Sequence, residues 1–127
     1  MSLEMAIEWN DHYVEITWAG MVPEILPMPS PYDGFPDGSK VLVNASGLTG
    51  ASRPVWRWAG VAAAAAARGL KVAVVSPPGL IFGLFRQALL TAGVDQEHAI
   101  ALFQLREHAL TWLMSNAPAS SVRETAD

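Results

Sequence analysis

The sequence predicts one α/β domain: a mixed sheet of about four to five strands with an N-terminal hairpin and parallel central strands, with helices packed on the sheet. Three observations predict it. Two stretches, "KVLVNA" (40–45) and "LKVAVVS" (70–76), are aliphatic almost without interruption, as strands covered on both faces are. An alanine-rich run between them has the length of a helical crossover, which should be right-handed. The chain has 127 residues, 51% of them hydrophobic, enough for one core with little left for a second.

The elements follow in order. "MAIEW" and "HYVEITW" flank Asn10-Asp11, a dipeptide that tolerates the positive φ angles of a two-residue hairpin turn. In the second arm Val14, Ile16 and Trp18 alternate with Tyr13, Glu15 and Thr17, so one face is buried and the other wet. Residues 21–38 carry Pro23, Pro27, Pro29, Pro31 and Pro36, which excludes a continuous helix or a central strand. Met21, Ile25, Leu26, Met28 and Phe35 thread through this segment, too many apolar residues for a solvated linker. It is expected to lie over the domain as a Pro-rich flap.

The first helix is expected from about Ser52 to Arg68, with Ser52 as N-cap, Pro54 in the first turn and Gly69 ending it. Its helical period puts Val55, Ala59, Ala62, Ala63 and Ala66 inside and Arg53, Arg57, Val61, Ala64 and Arg68 outside, with Trp56 and Trp58 on the flanks. After "SPPG", a second helix spans 80–93 with a core stripe of Ile81, Leu84, Phe85, Ala88 and Ala92. Phe82 and Leu90 project instead toward the side of Gly83, Arg86 and Gln87, which makes that face too apolar to be left in water. "AIALFQL" (99–105) reads as a strand and "REHALTWLMS" (106–115) as a closing helix. The domain thus covers 1–115, and 116–127, with little to bury, is expected to be a flexible tail.

Composition removes several function classes. Without cysteine there is no disulfide, zinc–thiolate site or thiol nucleophile. A net charge of −4 argues against non-specific nucleic-acid binding, which needs a concentrated basic surface. The start "MSLEMAIEWND" lacks a signal-peptide pattern, and the apolar run "VAAAAAA" falls far short of the roughly 20 residues of a membrane span. A soluble, cytoplasmic protein with no membrane span is expected. Neither G-x-x-x-x-G-K-[ST] nor G-x-G-x-x-G occurs, so no nucleotide cofactor is implied. His12, His98 and His108 have no metal-ligand spacing, and His98, after "DQE", is expected to make a local electrostatic contact. No G-x-S-x-G and no acid–base pair can be named, so the expectation is a protein that is not an enzyme, with no catalytic residue, metal or cofactor.

The succession "VLVNASGLTGASRP", "GLKVAVVSPPGLIFGLFRQALL" and "ALFQLREHALTWL" resembles the STAS family, in particular its SpoIIAA-like branch, which is sometimes grouped with lipid-binding SEC14 domains. The resemblance covers residues 5–114. It implies a non-catalytic regulatory domain, with lipid as one ligand class. Phosphorylatable members carry an Asp-Ser-Ser-Gly loop after this strand. The comparable stretch here, "GASRPVW", puts Arg53 or Pro54 where the modified serine falls, so a switch retained here would have to use Thr49 or Ser52.

Two surfaces are therefore candidates. Phe82, Leu90 and Arg86 of the second helix, Phe35 and Met28 of the flap, and Trp56 and Trp58 of the first helix would engage a protein partner or an apolar small molecule, or form a homodimer face. The small-residue stretch 47–52 is expected to turn a corner, with anion binding or phosphorylation at Thr49 or Ser52 as its functional alternative.

Overall fold

A computed structural model of the chain describes residues 3–22, 34–51 and 55–124. Its strands are β1 (Leu3–Trp9), β2 (Val14–Val22), β3 (Lys40–Ala51), β4 (Lys71–Val75) and β5 (Ile100–Phe103). Its helices are α1 (Val55–Ala67), α2 (Leu80–Ala92), α3 (Arg106–Leu113) and α4 (Ala119–Glu124). The five strands form one sheet in the order β1-β2-β3-β4-β5; β1 and β2 are antiparallel and every other pair is parallel.

The strand period divides the aliphatic runs between two cores. Val41 and Val43, Val72 and Val74, and Ile100 and Leu102 join the helix residues Ala65, Phe85, Ala88 and Leu89 in the larger one. Leu42, Ala73, Val75, Ala101 and Phe103 point the other way, onto Ala109, Trp112 and Leu113 of α3. Helices on both faces explain why these strands need no polar row. Trp112 is fully buried at the centre of the smaller core. Its indole N–H donates to the Glu97 carbonyl at 2.8 Å, and its ring lies 5.7 Å from that of Phe103. Lys71 closes the site, with its Nζ 4.6 Å from the Trp112 ring and donating to the carbonyls of Trp112 and Ser115. Burial there lowers the Lys71 pKa, with the nearby Lys40 charge adding to the shift.

Several details differ from the sequence reading. The hairpin turns on Asp11–His12, one residue later than expected. Asn10 N–H donates to the Tyr13 carbonyl at 3.1 Å, and no non-glycine residue described has positive φ. Asn10 Oδ1 accepts from the His12 and Tyr13 N–H groups at 2.9 Å each, so its side chain holds the turn. In α1 the buried alanines are Ala59 and Ala65, while Ala63 is exposed. Arg68 is not a free outer-face cation: it pairs with Asp37 at 3.0 Å and donates to the Phe35 carbonyl, fastening residues 35–38 to the end of α1.

Within the expected tail, Ala119–Glu124 form the helix α4. In α4, Ala119 and Val122 are buried, Ala119 N–H donates to the Glu97 carbonyl at 3.0 Å, and Ser120 N–H donates to Glu97 Oε2 at 2.8 Å. Two small apolar residues three apart look negligible in sequence. They become sufficient when one acceptor residue meets the N–H groups at the start of the helix.

Candidate functional site

The C-terminal ends of parallel strands are where open α/β sheets usually bind ligands. Here β3 does not break into a loop after Ala45. It continues to Ala51 against β2, pairing Ala19 with Gly47, Gly20 with Leu48, Met21 with Gly50 and Val22 with Ala51. Register shifts interrupt the pairing between Thr17 and Ala19 and between Gly20 and Met21. Glycine at 47 permits this approach, since a Cβ there would stand 3.2 Å from Ala19 Cβ and 3.3 Å from the Trp18 carbonyl oxygen. The expected corner over 47–51 is therefore strand. Successive N–H groups of a strand point in opposite directions and do not converge on an anion. Thr49 is exposed and its hydroxyl donates to the Gly20 carbonyl at 3.3 Å. Ser52 lies outside the described residues.

On α2, Phe82 is half-buried against the larger core, with the Arg86 guanidinium 5.4 Å from its ring. Leu90 is 64% exposed and Leu80 79%. Those two leucines stand ten residues apart, about 15 Å along the helix, and do not make one patch. Phe35 is a core residue, 4% exposed, with its ring edge-on to Trp9 at 5.1 Å. Met28 lies outside the described residues. Trp56 and Trp58 belong to the first turn of α1, and their side chains are likewise outside what is described. Among the described members of the expected surface, Leu90 and Arg86 are exposed, Phe82 is half-buried and Phe35 is in the core.

A continuous apolar row lies elsewhere, on β1. Met5, Ile7 and Trp9 are 44%, 42% and 61% exposed, and pair with Trp18, Ile16 and Val14 of β2. Directly paired residues share a face, so the row extends the larger core outward onto the last strand. The turn also sets the phase of the ladder. Asn10 and Tyr13 are a hydrogen-bonded pair, so Trp9, Ile7 and Met5 fall in the alternate positions, with their N–H and C=O groups directed away from β2, to an edge that no described strand covers. Beside Met5, the indole nitrogen of Trp18 is buried without a hydrogen-bond partner among the described residues.

The opposite face of β1 carries Glu4, Ala6 and Glu8. Glu8 stands across from Glu15, which is held by Arg106 at 2.6 Å. The Glu15 carboxylate raises the Arg106 pKa, and the same guanidinium reaches Tyr13 Oη at 3.3 Å. The Arg106 charge is thus taken up at β2, and Glu4 and Glu8 form an acidic row of their own. Sequence reasoning passed over β1, since "MAIEW" alternates identically whether or not another strand lies outside it.

His98 makes the local contact expected of it, with Nδ1 3.1 Å from Asp95 Oδ2. Asp95 Oδ1 accepts from the N–H groups of Glu97 and His98. Among the described residues no three His, Asp or Glu side chains are grouped as metal ligands, and no helix is long and apolar enough to cross a membrane.

No family profile matches the chain, and no curated protein matches it by sequence. Among solved structures it is similar to an uncharacterised protein of the DUF3478 family with a SpoIIAA-like fold from Shewanella loihica. The TM-score is 0.53 at 18% identity, over 87% of this chain and 93% of that one. With β1 and β2 antiparallel, the other strands parallel and helices on both faces, the chain has a SpoIIAA-like fold, the fold its order of strands and helices predicts.

Proposed function

We propose that this STAS-type domain acts by binding, without catalysis, and that its partner is a protein. The observation that carries the reading is the exposed row Met5, Ile7 and Trp9, a hydrophobic extension of the core at the rim of the sheet. Burying such side chains is worth about 1.5–3 kcal/mol each when complete, and part of that gain is still available here. An apolar small molecule, including a lipid, is the alternative occupant, and α2 with Leu90 and Arg86 the alternative surface.

Nile red fluorescence and native mass spectrometry test this. The wild type should bind the dye and fly without a co-purified ligand, and Trp9→Ser should lose most of the dye signal. A co-purified lipid would move the reading to the small molecule. Loss in Leu90→Ser with none in Trp9→Ser would move the surface to α2. A wild type that binds neither dye nor lipid would sink the reading. The exposed hydroxyl of Thr49 supports a second reading, a phospho-regulated anti-sigma antagonist, which requires a cognate kinase to label Thr49.

A further inference from the structure

We infer that β1 is a docking edge for an extended peptide segment of another protein, one whose side chains alternate apolar and basic. This deepens the binding reading above and rests on it. Three features of the edge define the occupant. The outward N–H and C=O groups of Met5, Ile7 and Trp9 match the hydrogen-bonding period of one added strand, which would make about six main-chain bonds.

The side chains of those residues lie on one face and call for apolar partners opposite them. On the other face Glu4 and Glu8, four residues apart with Ala6 between them, call for two basic residues at the same separation. The pattern wanted is therefore basic, apolar, small, apolar, basic, apolar.

Charge complementarity favours such a segment over a second copy of this chain. In an antiparallel β1–β1 pair centred on Ala6, Glu4 faces Glu8 of the other copy directly. Centred on Ile7, the carboxylates avoid direct opposition but stand diagonal to one another across the seam. Either way two acidic rows meet. The chain's net charge of −4 adds to the repulsion between copies and attracts a basic segment.

The probe is the labelled peptide Val-Lys-Val-Thr-Val-Lys-Val, whose symmetry suits either strand direction, with its Lys→Glu counterpart as control. Fluorescence anisotropy should show the basic peptide binding at least about tenfold more tightly than the acidic one, and less tightly as salt rises. Amide exchange should slow at Met5, Ile7 and Trp9. Ile7→Pro removes an outward N–H at an edge position where proline is tolerated, and should abolish binding with the fold intact by circular dichroism. The double variant Glu4→Lys/Glu8→Lys should reverse the peptide preference.

Equal binding by Ile7→Pro, an unchanged preference in the double variant, or a wild-type dimer that Ile7→Pro makes monomeric would each overturn the proposal. Dye binding without peptide binding would defeat this inference alone. Loss of both would defeat the binding reading as well.

Discussion

The two edges of the sheet are built on opposite principles. At one side β5 has four residues, all buried, and the Glu97 carbonyl and carboxylate tie α4 against the α3 layer beside it. At the other side β1 has seven residues, and Glu4 through Trp9 are all exposed. Short, covered edge strands are the usual protection against unwanted pairing. One edge strand is short and wholly buried, whereas among the described residues the longer one is exposed and carries only the charges of Glu4 and Glu8.

The largest expected effect breaks the closed side. Trp112→Ala should cost about 3–5 kcal/mol in chemical denaturation, because it empties the centre of the smaller core and leaves Lys71 without its ring partner. A cost under about 1 kcal/mol would mean that the α3 layer is not closed as described.

The contrast sharpens within one registered pair, Ile7 and Ile16, the same residue type on the same face. Ile16 is fully buried, and Ile16→Ala should cost about 2–5 kcal/mol, while Ile7→Ala at 42% exposure should cost under about 1 kcal/mol. Equal costs would mean that something covers β1 in the folded chain.

Arg106→Ala removes the pair that neutralises Glu15 and leaves Glu8 facing an unpaired carboxylate. With side-chain exposures of 45% and 17%, the loss should be about 0.5–1 kcal/mol, and smaller in high salt.

The smallest effect concerns Asp95, near the closed edge. Its pKa is lowered chiefly by the Glu97 N–H, with His98 adding through its N–H, ring bond and charge. A carboxyl whose folded pKa lies below its unfolded value stabilises the fold above the unfolded value and loses that contribution as pH falls through the folded one. The Tm difference between wild type and Asp95→Asn should therefore be small near neutrality and vanish as pH falls below 3.8, the ordinary value for this group. A difference that persists in acid would place the effect in packing instead of charge.

Much of the fold was legible because burial on both faces leaves an unmistakable composition. Residues 40–45 and 71–75 are strands, 80–92 is a helix, and "ALTWL" closes the smaller core where the sequence reading put a helix. The stretch 46–51 was not legible. Ser46, Gly47, Thr49 and Gly50 have the composition of a turn, and only pairing with β2 across a register shift makes them a strand. Residues 116–124 were missed for a similar reason, since the acceptor that holds α4 is Glu97, far away in sequence. Leu90 is exposed, as its place on the helical period implies, while the exposed row on β1 has no counterpart in the sequence reading. Phe82 turned partly inward beneath Arg86, which the helical period alone does not distinguish from exposure.

By itself the sequence determined that 40–45 and 71–75 are strands, that 80–92 is a helix and that the central strands are covered twice, because hydrophobic period and run length are local properties. Only the tertiary structure decided which strand is last in the sheet, and with it whether an alternating apolar row faces a core or the outside. Side-chain alternation is the same at an edge as in the middle; what differs is the neighbour, and the neighbour is set by contacts distant in the chain.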